Sequence, residues 1–324
     1  MPIKPPFLLG LCFRQCLKQC LWIVFSIFLT VSLSFADAIV IDAEQQYRYA
    51  EKLYEEQQYR RAAEEFDRFT HFFPTHPDRR TAGFKAGTSL FQAGDSDTAL
   101  RQFNQLTQVD PLDDIAVESF FMMTECHLYR KEHGRAILQM HNLIALSDHP
   151  QVKDRALARM GWIHVDQMEW EEARGAFRRM SAAARADTRM ERLDSGLEQA
   201  SRIPRKNPSL AGMLSVIPGA GQLYTERYED ALMAFLVNGA LMWAAYESFD
   251  QDLNALGGLL SFVGLGFYAS NIYGAMSGAH KYNLRQKQRY ADQLRQDYLD
   301  GLPSDPLTQG RSGDRFILAF RIPF

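Results

Sequence analysis

The chain has 324 residues, enough for about two domains. Hydrophobic residues make up 46% of it and charged residues 23%, a composition that is typical of a folded protein and excludes an intrinsically disordered one. The net charge of −3 argues against a nucleic-acid-binding protein, because such proteins usually carry a basic surplus. Three of the four cysteines lie within the first twenty residues, so the sequence provides no disulfide framework.

The N-terminus has the pattern of an export signal. Basic residues precede an uncharged, apolar run at 21–36. A basic region, an apolar core and small residues before the cleavage point define a secretory signal. We therefore predict a signal peptide at 1–36, cleaved before Asp37. An uncleaved membrane anchor is the alternative, and both interpretations place the next segment outside the cytoplasm.

The middle of the chain repeats itself every 37 residues, with several columns in register over four copies. One column holds mostly small residues, namely Ala50, Gly87, Thr124 and Gly161. A second column is alanine throughout, at Ala62, Ala99, Ala136 and Ala173. A third, four residues later, consists of Phe66, Phe103, Met140 and Phe177. The apolar spacing within each copy is helical, which predicts two helices per repeat. We expect the small residues where these helices touch, because larger side chains would separate their axes.

These columns resemble the marks of the tetratricopeptide repeat family, which also closes its repeats with proline, here Pro74 and Pro111. The resemblance implies an all-α fold, a tetratricopeptide-like α-solenoid. The copies are about three residues longer than the usual 34, a form similar to periplasmic helical-repeat proteins of Gram-negative envelope assembly. We expect a capping helix at 188–202, because a solenoid end needs a polar outer face. The predicted repeat domain therefore spans 43–203.

The resemblance also implies a binding groove, because the family's concave face comes from fixed positions in the first helix of each repeat. In this sequence those positions are Tyr47, Glu51, Glu55, Phe84, Thr88, Gln92, Phe121, Glu125, Tyr129, Ala158, Trp162 and Asp166. An aromatic, mildly acidic groove of this kind would hold a peptide or a partner helix. The alternative is that the aromatic residues pack against the next repeat.

The C-terminal third contains three uncharged stretches, at 207–225, 231–246 and 253–279. The third is long enough to cross a bilayer and the second is marginal. The first is broken at Pro218-Gly219, so we expect it to kink or re-enter. We therefore predict glycine-rich membrane helices over 207–282.

Two patterns in this region favour a packed helical membrane domain. Small residues recur every four positions at Gly266, Ser270, Gly274 and Gly278. Such a stripe lets helices approach closely in lipid, so these helices could pack on each other or on a second copy of the chain. The run PGAGQLY at 218–224 resembles the P-G-x-G-Q-x-Y signature of small helical membrane domains that accompany such repeats in bacteria. It is not a phosphate-binding loop, because no strand precedes it and no Gly-Lys-Ser/Thr follows it.

Charges bear on the topology of the membrane part. Acidic residues at 247–252 separate the second and third stretches, and four basic residues follow at 281–289. Basic residues prefer the cytoplasmic side, so periplasmic repeats favour three crossings over two. We expect a polar helix and tail over 283–324. The strict alternation at 316–324 is a strand pattern similar to the C-terminal signal of outer-membrane barrels. An outer-membrane location therefore stays open beside the favoured inner membrane.

No H-E-x-x-H, C-x-x-C or G-x-S-x-G motif occurs. His127 and His164 lie one repeat apart, with Cys126 and Asp166 as local candidate ligands, but two ordinary polar positions are the simpler interpretation. We therefore expect no cofactor, no metal and no enzymatic activity. The sequence favours a bacterial cell-envelope protein whose periplasm-facing repeats scaffold protein–protein interactions and whose C-terminal helices anchor it. The alternative is a channel, transporter or insertion accessory in which the glycine-rich helices are the active part.

Overall fold

The computed structural model describes residues 42–299, and every regular element in that part of the chain is helical. Eight helices form the repeats: α1 (Ala43–Glu55), α2 (Tyr59–Phe72), α3 (Arg79–Gln92), α4 (Ser96–Leu106), α5 (Asp114–Tyr129), α6 (His133–Leu146), α7 (Pro150–Asp166) and α8 (Trp170–Arg178). Each helix packs on the next in chain order. This arrangement confirms the predicted all-α solenoid. The predicted signal peptide and the strand-like tail lie outside the described residues.

The remaining helices form a cap and an apolar hairpin. They are α9 (Ala182–Arg185), α10 (Thr188–Gln199), a 3₁₀ turn (Ala200–Arg202), α11 (Pro208–Leu214), α12 (Ala220–Tyr224), α13 (Tyr228–Asp250) and α14 (Asn254–Leu299). The segment expected to cap the solenoid thus forms α10 and the 3₁₀ turn. Helix α14 is one continuous helix of 46 residues, which corresponds to a length of about 70 Å.

The two helices of each repeat are joined by the same backbone turn in all four copies. Its central residue has a positive φ each time, and these residues are again 37 apart: Gln57 (61°), Gly94 (83°), Lys131 (60°) and Met168 (62°). The amide of the next residue donates to the carbonyl five residues back, at 2.8–2.9 Å in every copy. This is the hydrogen-bond pattern that ends helices with a left-handed residue. Three copies accept a non-glycine residue there, so the repeat geometry holds the backbone in this conformation.

The small residues of the first helix lie where the second helix presents its aromatic ring. A Cβ atom added to Gly87 would lie 2.7 Å from the Phe103 ring, and one added to Gly161 would lie 2.5 Å from the Phe177 ring. Both distances are too short for real contacts, so the aromatic ring fills the space that a side chain would take. Copy three combines the larger Thr124 with Met140, whose unbranched side chain adapts to irregular space.

Helix α14 connects three parts of the molecule. Its first half lies against α13, and its middle lies against α11 and α12. Its last turns return to the solenoid, where Ala291, Leu294 and Tyr298 join the core of the fourth repeat. The sequence interpretation, which divided the chain after 282, separated two halves of this one helix.

The described residues contain two helices that are long and apolar enough to cross a membrane, α13 and α14. The first apolar stretch does not form a third such helix, in line with its expected break at Pro218-Gly219, and the number of crossings stays a prediction. It is divided into α11, with seven residues, and α12, with five. The break is at Gly219, whose φ of 87° ends any continuous helix and places its Cα against the backbone of Ala231.

We expect Gly161→Ala to lower the free energy of unfolding by about 1–3 kcal/mol, because overpacking a buried contact has that cost. Gly175→Ala is the matched control on α8 of the same repeat, where an added Cβ meets open space. It should raise stability by about 0.4–1 kcal/mol through the lower chain entropy of alanine. Denaturant unfolding followed by circular dichroism measures both, and equal effects would contradict the ring contact at Gly161.

Candidate functional site

The residues expected on the concave face of the first two repeats make contacts within and between repeats. Tyr47 is half-buried and meets the Phe66 ring edge-on at 5.6 Å. The Lys85 ammonium of the next repeat lies 5.0 Å from the centre of the Tyr47 ring and pairs with Glu51. Phe84 is also half-buried and packs on the Phe103 ring at 5.5 Å. Lys85 therefore joins the first repeat to the second, whereas the two aromatic contacts lie within a repeat, and Tyr47 and Phe84 keep part of their surface open.

The concave positions of the third repeat are more deeply buried. Phe121 is only 5% exposed, and the guanidinium of Arg155 from the fourth repeat covers its ring at 4.6 Å. Glu125 forms an ion pair with Arg159 at 2.5 Å, and both side chains are buried. Burial raises the pKa of the Glu125 carboxyl and lowers the pKa of the Arg159 guanidinium. Each charge therefore depends on the other, because a lone buried charge is strongly destabilising.

The end of α14 covers the concave positions of the fourth repeat. Tyr298 meets the Trp162 ring edge-on at 5.2 Å, and the Arg295 guanidinium lies 5.5 Å from the centre of the same ring. Arg295 also pairs with Asp166. In the first and third repeats the cation over the concave aromatic ring comes from the following repeat. Here it comes from α14, which takes the place that a fifth repeat would occupy.

The structure thus separates the predicted groove residues into two groups. Phe121, Glu125 and Trp162 are buried within the chain and have almost no surface left for a partner. Tyr129 is 66% exposed and touches the Phe91 ring edge-on at 5.9 Å. The open groove therefore lies over repeats one to three, and partner binding there stays a prediction. The family resemblance supplied the expected concave positions, but it could not show that α14, more than a hundred residues away, covers the last of them.

The periodic histidines have a local role in the repeat turns. His127 Nδ1 lies 2.9 Å from a Glu132 carboxylate oxygen, and His164 Nδ1 lies 2.7 Å from Glu169 in the same position. Within residues 42–299 no group of three His, Cys, Asp or Glu side chains is arranged to hold a metal ion. Cys126 is buried, which raises the pKa of its thiol to about 12 and keeps it in the protonated, unreactive form.

The glycine-rich motif at 218–224 locks the base of the hairpin. Gln222 Nε2 donates to the Asn271 Oδ1 at 2.6 Å and to the Asn271 carbonyl at 3.0 Å. Asn271 Nδ2 in turn donates to the Ser215 carbonyl at 3.2 Å. An added Cβ on Gly221 would overlap the Ser215 hydroxyl and the Ala211 carbonyl. The motif therefore joins α11, α12 and α14 through a buried polar network and one very close backbone approach.

The predicted stripe of small residues is only partly used in packing within the chain. Gly278 is buried, with Thr225 Oγ1 3.0 Å from where its Cβ would be, and the Gly274 carbonyl accepts from Arg227 Nη1 at 3.1 Å. Gly266 and Ser270 are exposed. The contact with α13 instead uses Gly257, where an added Cβ would lie 2.9 Å from the Phe249 ring. Gly264 faces α13 more loosely.

The hairpin presents an extensive apolar surface. In the most apolar 18-residue segment of each helix, only 17% is buried in α13 and 11% in α14. The exposed side chains include Phe235, Met242, Trp243, Phe262, Leu265 and Phe267. Soluble monomers rarely expose contiguous apolar surface on this scale, which usually marks a membrane or protein contact.

These features define a helical-repeat protein with an attached apolar hairpin. Comparison with protein families matches the tetratricopeptide repeat at residues 81–112, which cover α3, α4 and the loop that follows. The chain therefore contains a tetratricopeptide repeat, a module that generally mediates protein–protein interactions. A search of curated proteins found no match.

We expect Trp162→Ala to lower the free energy of unfolding by about 3–5 kcal/mol, as for other buried aromatic residues, because it removes the ring between Phe177 and Tyr298. Tyr129→Ala is the control, and the exposed position of Tyr129 predicts a change within about 0.5 kcal/mol. Denaturant unfolding in detergent gives both values. A small effect at Trp162 would show that α14 does not hold the fourth repeat in solution.

Proposed function

We propose that this protein is a non-enzymatic scaffold of the bacterial cell envelope, anchored in a membrane by α13 and α14. Its repeats present a groove to a protein or peptide partner on the periplasmic side. The main support for this proposal is the continuity of α14. This helix runs without a break from the exposed apolar hairpin to the core of the fourth repeat. One rigid element thus links the interaction module to the anchor.

The hairpin fits a lipid environment in its polar groups as well as its apolar surface. Asn238 Nδ2 donates to the Ala234 carbonyl at 2.7 Å, and the Ser248 hydroxyl donates to the Ala244 carbonyl at 2.7 Å. Both side chains are buried and donate within their own helix, so neither presents an unbonded donor to lipid. Helix α13 has 23 residues, about the length that spans a bilayer, and its uncharged part covers the 16 residues 231–246.

The structure favours two crossings, with the repeats and the end of α14 on the same side. Basic residues after 280 then lie beside the repeats, and acidic residues lie at the tip between α13 and α14. The positive-inside rule applied to the hairpin alone would place the repeats in the cytoplasm, whereas the N-terminal pattern exports them. We propose the periplasmic side because the first apolar segment usually dominates orientation. Inner and outer membrane are both compatible with this arrangement.

The side of the membrane is tested with a reporter enzyme that is active only outside the cytoplasm. A fusion after residue 190 should be active, because the export pattern precedes the repeats. The same fusion without residues 1–36 is the control and should be inactive. An inactive full-length fusion would reject the periplasmic assignment and support the side indicated by the charges of the hairpin.

The number of crossings is tested with single cysteines labelled by a membrane-impermeant maleimide, after the three N-terminal cysteines are changed to serine. Exposed positions are Glu171 on the repeats, Gln251 at the hairpin tip and Gln288 on α14. We expect Glu171→Cys and Gln288→Cys to label from one side and Gln251→Cys only from the other. Opposite sides for Glu171→Cys and Gln288→Cys would reject the two-crossing arrangement, because α14 could not then pack on the fourth repeat.

A further inference from the structure

We propose that basic side chains around the base of the hairpin bind the headgroups of anionic phospholipids in the leaflet next to the repeats. We define this basic collar as Arg202, Arg205, Lys281, Arg285, Lys287 and Arg289. The inference rests on the membrane insertion proposed above and adds a lipid partner to it. Three observations support it: the side chains are exposed, they lie at the base of the hairpin, and two of them line a common cleft.

The collar charges are available to a ligand. Five of the six residues are exposed and Lys287 is half-buried. None of the six forms an ion pair with another residue of the part of the chain that the structure describes. Of the acidic residues nearby, Glu226 pairs with Lys206 at 3.2 Å and Asp230 pairs with Arg227 at 2.7 Å. Glu229 and Asp292 are exposed and form no ion pair among the described residues, so two free carboxylates stand against the six collar charges. The base of the hairpin therefore presents a positive surface that its own acidic residues do not neutralise.

The collar lies at the depth where headgroups are expected. Residues 254–280 of α14 carry no charge, and Lys281 follows directly on the same helix. At 1.5 Å per residue, Arg289 lies about 12 Å beyond Lys281. The headgroup layer is about 5–8 Å thick on each side of the hydrocarbon core. Arg227 Nη1 donates to the Gly274 carbonyl, so this layer begins near Gly274, about 10 Å before Lys281. Lys281 would therefore lie at the outer edge of the layer, and Arg285 within about one screening length of 8–10 Å from it.

Part of the collar encloses a cleft suited to a phosphodiester. Arg202 and Arg289 both line a cavity of about 420 Å³ between the 3₁₀ turn and α14. The cavity is also lined by Gln199, Gln286, Gln293 and Tyr290, and it includes no acidic side chain. Guanidinium groups bind phosphate oxygens through paired N–H donors, and glutamine amides add further donors. The cleft thus offers an anion several donors from two directions.

The opposite end of the hairpin has the reverse charge. The tip carries Glu247, Asp250 and Asp252 and no basic residue. Anionic headgroups would be repelled there and attracted at the base, so the charge distribution selects one leaflet. A neutral or zwitterionic headgroup would not distinguish the two ends in this way.

The test uses the full chain reconstituted in vesicles of equal parts phosphatidylglycerol and phosphatidylcholine. After mild detergent extraction, mass spectrometry measures the lipids retained by the protein. We expect severalfold more phosphatidylglycerol than phosphatidylcholine, with the excess lost at 1 M salt. The variant Lys281→Gln, Arg285→Gln, Lys287→Gln, Arg289→Gln should lose most of the excess. A control with the same charge change on the repeats, Arg60→Gln, Arg101→Gln, Lys131→Gln, Arg179→Gln, should retain it.

Resistance of the protein to extraction at high pH is measured in parallel and reports insertion alone. If the collar variant is inserted and still retains excess phosphatidylglycerol, the collar is rejected and the membrane anchor stands. If the unmodified chain is extracted from these vesicles at high pH, the anchor is rejected and the collar with it. If millimolar inorganic phosphate removes the excess lipid, the site recognises free phosphate, and the assignment to lipid headgroups is wrong.

Discussion

The contact between α14 and the fourth repeat decides how the rest of the molecule is arranged. A repeat stack leaves an apolar surface at its last member, which must be covered for the stack to be stable. Here α10 covers part of that surface, and Leu294 and Tyr298 of α14 cover more of it. The Tyr290 hydroxyl donates to the Gly196 carbonyl at 2.7 Å, which fixes α14 against α10. Because α14 is one helix, the same contact sets the direction in which the hairpin leaves the solenoid.

A second constraint acts at the other side of this junction. Gln222, Asn271 and Ser215 form a buried hydrogen-bonded network, and an unsatisfied polar group in lipid or in a dry core is costly. The network requires α11, α12 and α14 to meet at one point, and Gly221 allows the backbones to come that close. The motif therefore serves to build the fold. Its glycines provide close approach, and its glutamine provides the polar clamp.

The sequence predicted the repeats well because they depend on local spacing. A period of 37 predicted that the small residue of the first helix faces the ring of the second, as Gly87 with Phe103 and Gly161 with Phe177 show. The division after residue 282 failed for a physical reason. The apolar run ends there, but helical hydrogen bonds continue through polar residues, so a change of surface polarity does not end a helix. The contact of Arg295 with Asp166 joins residues 129 apart, and no spacing pattern within one segment could predict it.

The same limit of spacing patterns explains why the predicted stripe of small residues differs from the observed contact between α13 and α14. The stripe from Gly266 to Gly278 was identified by its regular four-residue spacing. The glycine that closely meets α13 is Gly257, which lies outside this register. Small residues are needed where another element approaches closely. Spacing along one helix predicts which residues share a face, but it does not predict which element packs against that face. Gly266 and Ser270 are left exposed, so that part of the stripe contributes to the exposed apolar surface of the hairpin.

The position of α14 also restricts where a partner can bind. At the fourth repeat, a ligand in the groove would compete with Arg295 and Tyr298. These residues of the same chain already supply a cation and an aromatic ring to Trp162. An intramolecular contact of this kind has the advantage of a high effective concentration, so a separate partner would rarely displace it. The open surface therefore begins at Tyr129 and extends toward the first repeat. A partner would bind there, beyond the part of the solenoid that α14 joins to the hairpin.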